Sequence, residues 1–101
     1  MIRNIGDIGG RMDYYKKNNN LDIIIEEEKK RTKDDIIEQY IRIRKEKGYS
    51  QEKIAEITGI ARTNIVRIEK KINVPTIEVL LKLAMALDMD LEIKFVSKGN
   101  G

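Results

Sequence analysis

Cysteine, histidine and tryptophan are all missing from this 101-residue sequence. Without cysteine there is no disulfide framework and no demand for an oxidising compartment. The usual zinc ligands are gone as well, so no metal site is expected. Mechanisms that need a histidine base or a cysteine nucleophile are excluded. A carboxylate or lysine mechanism survives on composition, but no constellation for one is visible, and an enzyme is not expected; nor is any cofactor. Aromatic residues make up only 5%, too few for a base-stacking platform on single-stranded nucleic acid. One proline and seven glycines are not the composition of a low-complexity chain. No apolar run approaches the roughly 18–20 residues that span a bilayer. The start, Met1-Ile2-Arg3-Asn4-Ile5-Gly6-Asp7, lacks the apolar core of a signal peptide. A cytoplasmic protein without membrane contact is therefore expected.

What remains is 41% hydrophobic and 37% charged, enough for one modest core under a highly charged surface. The net charge of +3 is a weak sign of a polyanionic partner, but its distribution says more. From Arg42 to Lys71 there are nine basic residues against four acidic ones, whereas Asp22 to Glu38 holds seven acidic and four basic. Positive charge gathers in the middle of the chain.

Residues 1–20, with Gly6, Gly9, Gly10 and Asn18-Asn19-Asn20, have no sustained period and read as a flexible arm. Met12 offers an alternative natural start, which would make residues 1–11 an addition. Residues 21–33 form an N-terminal extension. Its acids precede its bases, which suits a helix dipole, although Ile23-Ile24-Ile25 could also open a short strand.

From residue 34 to residue 90 the pattern is that of one helical domain. Ile36, Ile37, Tyr40 and Ile41 fall at helical spacing, with acids at Asp34 and Asp35 and a stop at Gly48, which predicts a helix over 34–47. Ser50 caps a second helix to about Thr58, and Gly59 ends it. A third helix follows over about 62–70. Thr76 caps a fourth, whose apolar residues Ile77, Val79, Leu80, Leu81, Leu83, Ala84 and Leu87 cover more than half its circumference. That predicts burial by more than one neighbour. Met85 and Met89 read as core filler or dimer surface rather than a metal site, and the four tyrosines as packing or edge residues. Over residues 91–97, Leu91, Ile93 and Phe95 alternate with Glu92 and Lys94, a strand pattern. With no second strand visible, its cheapest partner is the same strand of a second copy; the alternative is a tail that only extends the packing of the fourth helix. Residues 98–101 are a tail.

The centre of the chain carries the functional signal. Two short helices flank Gly59, whose freedom to take a positive φ allows a sharp reversal. Ala55 permits a close helix crossing. Ile54, Ile60, Ile65 and Ile68 can close one small core beneath both helices. The outer face of the third helix is then left polar and basic: Arg62, Thr63, Asn64, Arg67, Lys70 and Lys71. A helix fits the DNA major groove, and arginine forks suit guanine O6 and N7. Gln51 would lie near the phosphate backbone, with Lys53 a further phosphate neighbour.

The run Arg44, Ser50-Gln51, Ile54-Ala55, Gly59-Ile60, Ile65, Ile68-Glu69 and Pro75-Thr76 before Leu80, Leu83, Ala84 and Leu87 resembles the phage-repressor/Cro class, the xenobiotic-response-element family of helix-turn-helix regulators. The likeness covers about residues 36–90. It implies a lambda-repressor-like all-α bundle whose third helix reads double-stranded DNA, as a homodimer on a near-palindromic operator. Gln51 matches the family's contact to backbone and an outer base. Ala61, Arg62, Thr63 and Arg67 match base-facing positions, with Asn64 at a phosphate or the edge. Arg44 and Glu69 match an ion pair tying the first helix to the third. The sequence departs from the pattern at Ala61, often Ser or Thr, and at Lys71, often Gly. The family's fifth helix is replaced by the expected strand. An acidic N-terminal extension together with a C-terminal strand further resembles antitoxins of host-inhibition-of-growth systems, which repress their own operon and neutralise a small toxin protein.

Overall fold

The computed structural model describes residues 20–97. Of the arm expected over residues 1–20, residues 1–19 lie outside the described residues and Asn20 opens the first helix; the tail over 98–101 also lies outside them. Four helices follow in order: α1 Asn20–Glu46, α2 Gln51–Thr58, α3 Arg62–Glu69 and α4 Ile77–Ala86. Residues 33–93 form one compact unit; the described residues 20–32 and 94–97 fall in a second.

The extension and the first domain helix are one continuous element, since α1 runs unbroken from Asn20 to Glu46. No glycine or proline interrupts these 27 residues. The three isoleucines at 23–25 are inside the helix, which removes the strand alternative. Within residues 20–32, pairs such as Lys29–Glu26 at 3.2 Å and Arg31–Glu28 at 3.5 Å join successive turns, each contributing a few tenths of a kcal/mol where exposed.

The 33–93 unit is built around Ile37, Tyr40, Ile54, Ile65, Ile68, Leu83, Ala86 and Leu87, all buried. Each helix from α1 to α4 contributes to this core. Its four fully buried side chains, Ile37, Ile54, Ile65 and Leu83, come one from each helix, so the core is a single cluster rather than a set of pairwise contacts. Ile60 and Ala55 pack against it from the turn and from α2. The smaller side chain at 55 lets α2 approach its neighbours α3 and α4.

The chain between helices is held by local chemistry that the sequence announces. Ser50 Oγ accepts from the Lys53 N–H at 2.9 Å and Thr76 Oγ1 from the Val79 N–H at 3.1 Å, each satisfying a donor that the first helical turn leaves open. Gly59 sits at φ 77°, and its N–H closes α2 on the Ala55 carbonyl. Ala61 occupies the cap position of α3 and makes no side-chain cap bond, as its methyl group requires.

One expectation is overturned. Among the described residues there is no strand: residues 91–97 are irregular chain. Alternation at Leu91, Ile93 and Phe95 supplies a face, but a strand exists only through the ladder that satisfies its backbone groups, and the described residues hold no second strand to make one. Ile93, Phe95 and Val96 are exposed. The bundle is therefore all-helical, without the extra C-terminal β-strand. α4 meets more than one neighbour in this core, whose buried residues come from all four helices; Leu83 and Ala86 are buried, and Ile77, Leu81 and Met85 are exposed among the described residues.

Candidate nucleic-acid interface

Two short helices and a tight turn set the geometry. Thr58 Oγ1 donates to the Ile54 carbonyl at 2.7 Å and accepts from the Ile60 N–H at 3.1 Å. With Gly59 in the left-handed region, this turns the chain from α2 into α3 within three residues. On α3, Ile65 and Ile68 are buried, and Arg62, Thr63, Arg67 and Lys70 are exposed. Ala61 is exposed just before the first turn, and Asn64 is half-buried. The helix thus offers solvent a polar, basic face because its apolar positions are spent on the core.

The sequence-predicted ion pair forms, and it is deep. The Arg44 guanidinium donates to Glu69 through both Nε and Nη2, each at 2.8 Å, and through Nη1 to the Tyr49 carbonyl at 2.8 Å. The two side chains retain only 10% and 8% exposure, so this is a bidentate, largely desolvated pair. Glu69 also accepts from the Gln51 side-chain amide at 3.1 Å. One carboxylate at the end of α3 therefore holds Arg44 near the end of α1 and the first residue of α2, and Arg44 in turn ties in the loop at Tyr49. A carboxylate can only accept, so the Gln51 nitrogen must face it, leaving the amide oxygen and a second N–H for another partner.

Tyr40 lies under the same network. Burial pushes its phenol above the ordinary range, and the adjacent Glu69 carboxylate adds to the effect while Arg44 opposes it. Its hydroxyl has no hydrogen-bond partner among the described residues.

Other predicted site residues are engaged within the chain. Lys71 pairs with Glu38 on α1, and that carboxylate raises the lysine's pKa. Lys33 donates to the Lys71 carbonyl at 2.8 Å. Lys71 stands at φ 63°, doing the work of the glycine often found there. Arg62 is 3.8 Å from Glu52 and Lys53 is 3.7 Å from Glu56, all exposed; such pairs are weak and leave both cations free to change partner. Sequence reasoning missed the Gln51–Glu69 bond, the Glu38–Lys71 pair and the Thr58 clasp. Only the last has a local signal, a threonine directly before a turn glycine; Glu38 and Lys71 are joined by tertiary structure alone.

The family profile described as Helix-turn-helix matches residues 41–94. This is a Cro/C1-type member of the xenobiotic-response-element family. Its members are DNA-binding transcription regulators. A Bacillus subtilis (strain 168) relative named "Uncharacterized HTH-type transcriptional regulator YgzD" is 40% identical over 53 residues, covering 52% of this chain and 80% of that protein. No solved structure matches. Among the described residues of this family member, no helix is long and apolar enough to cross a membrane.

Proposed function

We propose that this protein is a sequence-specific regulator of double-stranded DNA, acting as a homodimeric repressor in the prokaryotic cytoplasm at the nucleoid. The observation that carries the reading is the solvent face of α3, where Arg62, Thr63, Arg67 and Lys70 stand exposed over buried Ile65 and Ile68. In this reading α3 enters the major groove with its N-terminal residues Ala61, Arg62, Thr63 and Asn64 toward the bases, and Arg67 one turn on. Lys53 and Lys70 lie toward phosphates. Lys71 supports from behind, through Glu38. Gln51 brings an amide whose free oxygen and N–H form the donor–acceptor pair that adenine N7 and N6 require. Two such subunits place recognition helices about 34 Å apart and call for a near-palindromic operator.

The test is fluorescence anisotropy against DNA from upstream of the protein's own gene and against a scrambled duplex, at two salt concentrations. The upstream duplex should bind more tightly, with a ratio that survives added salt. Arg62→Ala should cost about 1–3 kcal/mol on that duplex and relax its preference. Equal affinities that collapse together in salt would leave only counterion release and sink the reading.

A second reading rests on residues 20–32, which lie outside both the 33–93 unit and the family match at 41–94. In it the protein is the antitoxin of a type II toxin–antitoxin pair, and these residues bind the toxin protein. Deleting them should abolish toxin neutralisation and spare DNA binding. A shortened chain that still neutralised the toxin would remove this reading.

A further inference from the structure

Glu52 stands in the first turn of α2 and Arg62 is the first residue of α3. The turn brings the two together, with Glu52 Oε2 3.8 Å from Arg62 Nε. Both stay open to solvent, Glu52 at 73% and Arg62 at 55%. The other exposed acid of α2, Glu56, is matched within its own helix by Lys53 at 3.7 Å. Glu52 is therefore the acid of α2 whose ion pair crosses to α3. A negative charge beside the basic face of α3 weakens a general attraction to DNA, so its use lies elsewhere.

We infer that Glu52 is a positioning residue for base recognition: it holds Arg62 at Nε and leaves the two terminal nitrogens as the edge offered to a guanine. This rests on the reading above in which α3 enters the major groove. A guanidinium carries five N–H donors in one plane. A carboxylate at Nε takes one part of that plane, and the terminal fork remains for guanine O6 and N7. The same fork also fits two phosphate oxygens, and here the charge of Glu52 decides. It repels a phosphate that approaches Arg62, whereas the guanine edge is uncharged and suffers no such penalty. In the free protein so exposed a pair is weak. Between the walls of a groove, with water displaced, the same charges act through a lower dielectric and the discrimination grows. An acid in the first turn of α2 also complements the helix dipole, but that role changes stability and leaves base preference untouched.

The experiment is fluorescence anisotropy of the full chain on the upstream duplex, on versions of it with each base pair replaced in turn, and on the scrambled duplex. The pair at which Arg62→Ala loses its preference is the one Arg62 reads, and the wild type should favour guanine there by about tenfold or more. Glu52→Ala should reduce that preference by about threefold or more and bind the scrambled duplex more tightly than the wild type does. Glu52→Gln, which keeps an oxygen acceptor without the charge, should fall between the two. In the Arg62→Ala chain, Glu52→Ala should change no base preference. Urea midpoints measured alongside separate these effects from any loss of stability in α2, and Glu52→Gln serves as the second variant should Glu52→Ala lose helix content. Glu52 variants that strengthen both duplexes equally, with the guanine preference intact, overturn the inference and leave the α3 reading standing. If Arg62→Ala alters no base preference, the α3 reading falls and the inference falls with it.

Discussion

Removing Glu69 is the sharpest test of how the helix-turn-helix unit is held. Glu69→Ala deletes both hydrogen bonds to the Arg44 guanidinium and the bond to Gln51. Arg44, only 8% exposed with its partner in place, is then left with the Tyr49 carbonyl alone. An exposed pair would cost about 0–1 kcal/mol. A desolvated charge stripped of its partner costs about 3–5 kcal/mol, and the second figure applies because both side chains are so nearly out of water. Small domains hold about 5–15 kcal/mol in all, so the variant should retain a folded state with much of its margin gone. In urea titrations the midpoint should fall by roughly 2 M. Arg44→Ala should cost a similar amount. Replacing both with apolar residues, Arg44→Met with Glu69→Leu, should cost far less than the sum of the two losses, because no charge is stranded. Single variants that each lose under about 1 kcal/mol would refute the reasoning, and so would a double variant whose losses add.

Three further outcomes follow from named positions. Gly59→Ala should destabilise by about 1–2 kcal/mol through backbone strain at φ 77°, read by thermal denaturation; nothing lies within 4 Å of the added methyl, so crowding contributes nothing. Ala61→Ser should stabilise by about 1 kcal/mol by supplying the cap that α3 lacks, provided urea midpoints are compared at constant m-value. Tyr40 carries the pH dependence: its pKa is raised in the fold, so its contribution is fully present below pH of about 10 and is lost as pH rises from there toward the folded value. Tyr40→Phe should therefore flatten the alkaline limb of the stability curve while costing little at neutral pH, since the buried hydroxyl it removes makes no hydrogen bond; a loss above about 2 kcal/mol at neutral pH would contradict this.

The sequence by itself determined the elements of the DNA-reading unit. Ser50, Gly59 and Thr76 act within a few residues of their own backbone, so their caps and turn could be read without knowing the fold. The apolar spacing of Ile54, Ile65 and Ile68 placed the core, and with it the basic outer face of α3. The Arg44–Glu69 pair was legible through family likeness. Its depth was not, because burial depends on what the rest of the chain covers. The C-terminal segment shows the limit most clearly: alternation at 91–96 is a local property, whereas a strand needs hydrogen-bond partners that only a tertiary or quaternary neighbour supplies. The same holds for α4: its apolar composition announces burial, but only packing decides that the core takes Leu83 and Ala86 while Ile77, Leu81 and Met85 are exposed among the described residues. Glu38 and Lys71 meet across 33 residues of sequence, and Gln51 meets Glu69 across 18. Side chains so far apart find each other only when packing brings their helices together, and only the tertiary structure could decide which charges stay exposed on α3 and which are paired within the scaffold.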